Sequence, residues 1–198
     1  MTARPRRSRP PTRRALWMGS AGLLAAGLSA ACQPPEAPPD LQPTVGTLTL
    51  GTVDVPRFGD SRWVDLVDDQ MVQLVPGAQG GFHVWVLYRT QGLTGRVQVF
   101  RIAERLPPDG SPRQRVLTTS GFLTIPTDSW QTPDPIPSFM CPTPIGVSVL
   151  SAPIEISVRI TAADDANATL AQAKVRLQEQ CPPDADPTHA FCLRICQG

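Results

Sequence analysis

The stretch that decides the fold is Ile154-Glu155-Ile156-Ser157-Val158-Arg159-Ile160. Its apolar and polar residues alternate without a break, and a period of two places every apolar side chain on one face of a β-strand. Residues 164–167, Asp-Asp-Ala-Asn, follow soon after and have the composition of a turn. A second alternating run then occupies residues 171–178. The two runs together predict a β-hairpin with one apolar face.

The second half of this hairpin also permits a helix. Residues 169–180 are rich in Ala, Leu, Gln, Lys and Arg, which are good helix formers, and Leu170, Ala173 and Leu177 could share one helical face. We favour the strand because the alternation is unbroken and its partner strand is so clear.

Short β-type runs separated by Gly and Pro turns fill the chain before the hairpin. They are residues 47–50, 71–75, 82–89, 97–102 and 116–123. The run 82–89 is apolar on both faces apart from His83 and Arg89, which is typical of a central strand. Residues 126–144 contain six prolines and are expected to form a long loop.

Seven or eight short strands without an amphipathic helix predict an all-β protein. The expected architecture is an antiparallel β-sandwich, and the strand pattern resembles that of immunoglobulin-like domains. Sandwiches of this kind serve adhesion, scaffolding and ligand binding alike, so the fold by itself assigns no function.

The first 31 residues have the layout of an export signal. Six arginines and no acidic residue precede an apolar run, Ala15–Leu28, which ends in the small residues Ser29-Ala30-Ala31. The apolar run is 14 residues long, short of the roughly 20 that a helix needs to cross a bilayer. Residues 1–31 are therefore predicted to be a signal peptide.

The run Leu28-Ser29-Ala30-Ala31-Cys32 resembles the lipobox of bacterial lipoproteins. The resemblance implies cleavage before Cys32 and acylation of that residue, for example with palmitate, which would anchor the protein to a membrane of the cell envelope. Gln33, in place of aspartate, implies sorting to the outer membrane, facing the periplasm or the cell surface. The same residues also fit an ordinary signal cut after Ala31, which would leave Cys32 as a spare thiol.

Removal of the leader changes the charge of the chain. The six leader arginines leave with it, so the rest holds 12 Lys+Arg against 17 Asp+Glu, a net charge of −5. Binding to nucleic acid is not expected of such a surface.

Residues 32–44 are proline-rich and almost without apolar side chains, and they predict a lipidated tether. Residues 45–180 form the predicted sandwich domain, and residues 181–198 form a cysteine-containing tail.

Four cysteines lie beyond the tether: Cys141, Cys181, Cys192 and Cys196. An even number in an exported domain predicts two disulfides, and three pairings are open. Because only three residues separate Cys192 from Cys196, we expect each of them to pair with Cys141 or Cys181. Either arrangement attaches the tail covalently to the sandwich domain.

The expected role is that of a lipid-anchored, non-catalytic binding or structural protein of the cell envelope, with an unidentified envelope protein as partner. No catalytic residue, metal ligand or cofactor is assigned. The alternative is an envelope enzyme that uses His83, or a metal-binding protein that uses His189, Cys192 and Cys196. No nucleophile elbow or phosphate loop accompanies the histidines, and Cys-x-x-x-Cys with one upstream histidine matches no zinc signature.

Overall fold

The computed structural model describes residues 45–53 and 62–198. The predicted signal peptide, Cys32 and the tether through residue 44 lie outside the described residues, and their predictions stand untested. Within the described part, no helix is both long enough and apolar enough to cross a membrane.

The described residues form two sheets and one short helix. The strands are β1 Thr47–Val53, β2 Trp63–Asp65, β3 Gln70–Gln73, β4 Val75–Pro76, β5 Phe82–Gln91, β6 Gly95–Arg105, β7 Gln114–Ile125, β8 Ser129–Gln131, β9 Ile136–Cys141, β10 Ile154–Ala162 and β11 Thr169–Gln180, and the helix is α1 His189–Cys196. One sheet joins β1, β2, β4, β5, β8 and β9; the other has the order β3-β11-β10-β6-β7. The predicted β-sandwich is confirmed.

The hairpin of β10 and β11 is confirmed as well. The strands pair antiparallel with Ile154 opposite Leu177 and Ile156 opposite Val175. All four of these side chains are buried in the core. Residues 169–180 therefore form a strand, as the unbroken alternation indicated. Between the strands, the Asp165 carboxylate accepts a hydrogen bond from the backbone N–H of Asn167, as expected of turn chemistry.

Strand β5 is the central strand of the six-stranded sheet. It pairs with β1 and β4 on one side and with β8 and β9 on the other. Its side chains at 82, 84, 86 and 88 enter the core. The expectation of a long loop over residues 126–144 is wrong, because β8 and β9 lie within it. Pro137 is tolerated in β9 because that strand pairs on one side, with β5, and a proline fits where no ladder N–H is needed.

One strand pair departs from the antiparallel pattern. Strand β3 runs parallel to β11, with Val72 opposite Glu179. Beyond β11 the tail forms α1, which the sequence did not predict. Helix α1 is an eight-residue element whose two buried side chains are Cys192 and Cys196.

Candidate functional site

Strand β7 forms one edge of the five-stranded sheet. It is 12 residues long and pairs antiparallel with β6 along its length, from Gln114 opposite Arg105 to Ile125 opposite Gly95. Its other side has no neighbouring strand within the described ranges. Backbone N–H and C=O groups on such an edge are available to pair with another extended chain.

The composition of β7 leaves this edge unprotected. Residues 116–125 read Val-Leu-Thr-Thr-Ser-Gly-Phe-Leu-Thr-Ile and contain no charged residue and no proline. Natural sheets usually protect edges with charge, proline or short strands. The aromatic ring of Phe122 is 58% exposed on the outer face of this strand, with the Arg96 guanidinium 5.0 Å from its centre. Strand β7 thus combines length, an uncharged run of ten residues and an exposed aromatic side chain.

A groove of about 190 Å³ opens beside the edge, between β7 and β9. Gly121 faces this groove because it lies opposite Val99, which points into the sandwich. A Cβ atom added to Gly121 would meet nothing within 4 Å. The missing side chain therefore leaves space on the inner side of the edge strand, beside Leu123 and Ile136.

Two polar groups lie at the base of the groove. The guanidinium of Arg101 donates hydrogen bonds to the Pro137 carbonyl (3.1 Å) and to the Ser138 hydroxyl (3.0 Å), which ties β6 to β9. The buried hydroxyl of Tyr88 has no hydrogen-bond partner among the described residues. Burial raises the pKa of Tyr88 to about 12, against a smaller opposing effect of Arg101. Tyr88 is thus a neutral phenol at physiological pH.

The four tail-associated cysteines form two disulfides, Cys141–Cys196 and Cys181–Cys192. The expectation that Cys192 and Cys196 pair with the other two cysteines is confirmed. The sulfur atoms of Cys181, Cys192 and Cys196 lie within 4.8 Å of one another. A metal would need these sulfurs as thiolates. Both disulfides would have to be reduced before the cluster could hold one.

His189 does not join the sulfur cluster. Its Nδ1 lies 2.6 Å from the Pro182 carbonyl oxygen and its Nε2 lies 3.2 Å from a carboxylate oxygen of Asp184. Both ring nitrogens therefore point to the loop that precedes α1. Of the three residues His189, Cys192 and Cys196, which are close in sequence, the structure brings the two cysteines together but not His189.

His83 lies on the outer face of the six-stranded sheet, packed between Trp85 and Phe139. Its ring centre is 4.3 Å from that of Trp85 and 5.5 Å from that of Phe139. The residue is 3% exposed, and neither ring nitrogen has a hydrogen-bond partner among the described residues. Burial lowers the pKa of His83, which favours the neutral ring. This surrounding supplies packing and no polar group that would orient a general base.

Glu179 is the buried functional group that the sequence reasoning missed. It continues the inward row of Val175 and Leu177 and is 6% exposed. Neither carboxylate oxygen has a hydrogen-bond partner in the described part of the chain, and burial raises the pKa of Glu179 well above its usual range. It borders a cavity of about 420 Å³ beside residues 150–153. One further step of the alternation in β11 would have placed this carboxyl inside.

The acidic residues near β3 have structural contacts. A bidentate ion pair joins Asp69 to the Arg176 guanidinium. The Asp68 carboxylate accepts a hydrogen bond from the backbone N–H of Arg176 at 2.8 Å. These carboxylates fasten the start of β3 to β11, and the hydrogen bonding of Asp69 lowers its pKa.

Comparison with known proteins identifies no relative: no family model, no curated protein and no solved structure matches this chain. The edge of β7 and its groove are therefore the candidate binding site on their own geometry.

Proposed function

We propose that this protein is an exported, lipid-anchored, non-catalytic binding module of the bacterial cell envelope. Its sandwich domain binds an extended polypeptide segment by β-strand addition to β7. The observation that carries the proposal is the ten-residue uncharged run 116–125 on a sheet edge that no other described strand covers. Backbone hydrogen bonds supply affinity in this binding mode, and side-chain pockets beside the edge supply specificity.

The groove at Gly121 supports this binding mode. In an added strand, alternate side chains point to the inner side of the sheet, where the groove lies. A side chain opposite Gly121 would enter space that no atom of the described chain fills. Because the surrounding residues Val99, Leu123 and Ile136 are apolar, an apolar side chain is the expected occupant.

Site-specific photo-crosslinking in living cells tests the binding mode. A photoreactive phenylalanine analogue at Thr118, which is exposed on β7, should give a covalent adduct because a paired strand lies beside it. The same analogue at Gln172, exposed on β11, is the matched control and should give none, because β10 and β6 separate β11 from β7. Absence of any adduct specific to position 118 would contradict strand addition at this edge.

The anchor is tested separately by fractionation. The variant Cys32→Ala should leave the domain folded but move it from the membrane fraction to the soluble fraction, because two or more acyl chains are needed for stable anchoring and this variant has none. Intact-mass measurement of the native protein should show the acyl groups on Cys32. A Cys32→Ala protein that still sediments with membranes would point to a protein contact as the attachment.

A further inference from the structure

The edge sequence of β7 is complementary to itself when a second, antiparallel copy is centred on Phe122. In this register Phe122 faces Phe122, Gly121 faces Leu123, and Thr119 faces Ile125. Residues that lie opposite one another in a sheet point to the same face, and these pairs satisfy that condition. We propose that the partner strand bound at β7 is β7 of a second copy of this chain. This inference rests on the proposed function, since it names the occupant of the same edge.

The inner face of the edge favours this register over those centred on Ser120 and Gly121. Gly121 leaves the groove open, and a Cβ at that position would meet nothing within 4 Å. With the pair centred on Phe122, Leu123 of the second copy lies opposite Gly121 and covers the open space, and the two-fold symmetry repeats this contact. A register centred on Ser120 would place Thr119 opposite Gly121, and one centred on Gly121 would place two glycines opposite each other. Both leave more of the groove unfilled.

The outer face separates this register from those centred on Thr119 and Leu123, which also place an apolar side chain opposite Gly121, because in this register alone Phe122 faces Phe122. Phe122 is 58% exposed in the single chain. Opposed aromatic residues are among the favourable cross-strand pairs, and pairing at the two-fold axis would shield both rings from water. Thr124 would lie opposite Ser120 on the same face, which is a further pair of hydrogen-bonding side chains.

The charges at the two ends of β7 are compatible with an antiparallel pair. No charged residue lies in the run 116–125, so no like charges meet across the pair. The first charges beyond it are Arg115 at the start of the run and Asp128 after its end. Arg115 is ion-paired with Glu104 of its own chain at 2.9 Å, and Asp128 lies beyond the end of β7. An antiparallel arrangement keeps the Arg115 ends of the two copies apart, whereas a parallel pair would bring these like charges together.

The proposed pairing of two β7 strands forms a closed dimer, to which no third copy can be added through β7. A two-fold axis uses the same surface on both copies, so each β7 edge is covered and no second β7 edge remains to continue the array. The two five-stranded sheets would form one continuous ten-stranded sheet. A closed dimer removes the exposed neutral edge that an isolated chain would present to other chains.

Cysteine crosslinking tests the register. Every variant is the full chain with Cys32→Ser, so that the introduced cysteine is the one thiol outside the two disulfides. Under mild oxidation Phe122→Cys should form a disulfide-linked dimer, because the two-fold axis brings the two positions together. Ser120→Cys on the same strand and Gln172→Cys on β11 should stay monomeric. A dimer from Ser120→Cys, or none from Phe122→Cys, would overturn the proposed register.

Sedimentation of the uncrosslinked protein tests the dimer itself. The full chain with Cys32→Ser should sediment with twice the mass of one chain, and addition of Phe122→Lys should reduce it to the mass of one chain, because two lysines would meet at the axis. The matched control Gln172→Lys should remain a dimer. A chain that is monomeric at all concentrations, or a Phe122→Lys variant that still dimerises, refutes self-pairing.

The photo-crosslink at Thr118 separates this inference from the proposed function. An adduct with twice the mass of one chain supports the second copy as partner. An adduct with a different protein refutes self-pairing and leaves strand addition at β7 standing. No adduct at all contradicts both.

Discussion

The C-terminal tail and strand β7 are fixed to the sandwich in opposite ways. The tail is closed covalently, since Cys181–Cys192 joins the end of β11 to α1 and Cys141–Cys196 joins α1 to β9. The Cys196 carbonyl also accepts a hydrogen bond from the backbone N–H of Val149 at 3.1 Å. Strand β7 is held along one side by β6, and its other side has no strand beside it in the described part.

This difference shows where the molecule is available for binding. The tail cysteines, which the sequence marks as part of a possible reactive centre, form the disulfides that attach the tail, and His189 contacts Pro182 and Asp184 within the tail. The uncharged run 116–125 of β7 contains no Cys, His, Asp or Glu, yet no other described strand pairs with its outer edge. The cysteines of the tail therefore have a structural role, and the uncharged strand residues 116–125 form the candidate binding site.

The comparison predicts the largest effect at the disulfides. In the chain-entropy account, closing a loop with the sequence separation of 55 in Cys141–Cys196 is worth about 4 kcal/mol, and the separation of 11 in Cys181–Cys192 about 3 kcal/mol. We expect the double variant Cys141→Ala with Cys196→Ala to lose more unfolding free energy in urea than Cys181→Ala with Cys192→Ala.

Strand β7 supplies the control for that measurement. Thr118→Ala, on the exposed face of β7, should change the unfolding free energy by less than about 0.5 kcal/mol. A loss at Thr118 as large as that of either disulfide, or a larger loss from the shorter loop, would contradict the contrast between a cross-linked tail and a weakly constrained edge.

The second-largest effect on the unfolding free energy is expected at Glu179, two residues before Cys181. Because burial raises the pKa of Glu179, the folded state binds a proton that the unfolded state releases. Stability from this group is full below the unfolded pKa and is lost as pH rises through the folded pKa. We expect Glu179→Gln to be more stable than the parent at pH 8, by about 1–3 kcal/mol, and to lose this advantage at pH 4.

Asp69→Asn is the control of opposite sign. The hydrogen bond from Arg176 lowers the pKa of Asp69, so stability from this carboxylate is present above its unfolded pKa and lost as pH falls through the folded pKa. Chemical denaturation at several pH values should show the two variants diverging from the parent in opposite directions. If the unfolding free energies of Glu179→Gln and the parent changed with pH in the same way, the Glu179 carboxyl would have a hydrogen-bond partner in solution, and this prediction would be wrong.

The smallest effect is expected at Gly121. Space surrounds its Cα on the groove side, and valine has a higher strand propensity than glycine. Gly121→Val should therefore raise the unfolding free energy of the single chain by about 0.5 kcal/mol. The measurement belongs in the Phe122→Lys background, because dimer formation would add its own stabilisation. In the parent background the same substitution should weaken dimerisation, and a destabilised single chain would mean that the groove does not exist as described.

The sequence predicted much of the fold because its strands follow the two-residue period. The hairpin 154–177 shows this most clearly, and the pairing preference of Cys192 and Cys196 followed from their short spacing. Strands β8 and β9 were missed because prolines surround them, and proline is compatible with a strand where one side needs no N–H donor. Sequence alone does not show which side is free.

The candidate site could not be predicted for the same reason. Residues 116–123 read as an ordinary strand, and a neutral strand is as typical of a sheet interior as of an edge. Its position at the edge depends on which strands lie beside it, and that is decided by contacts between residues far apart in the chain. The open groove likewise depends on Gly121 lying opposite Val99 and across from β9.

The sequence by itself determined the strand-rich class of this protein, its hairpin and the presence of two disulfides, because strand alternation is a local pattern and four cysteines allow few pairings. Which of Cys141 and Cys181 pairs with Cys192 stayed open. The tertiary structure alone decided that, within the described residues, the buried Glu179 carboxyl has no hydrogen-bond partner, His83 is packed between Trp85 and Phe139, and no strand lies beside the outer edge of β7. Burial and edge position are properties of neighbours in space, and each neighbour here is brought into place by the packing of two sheets whose strands are distant in sequence.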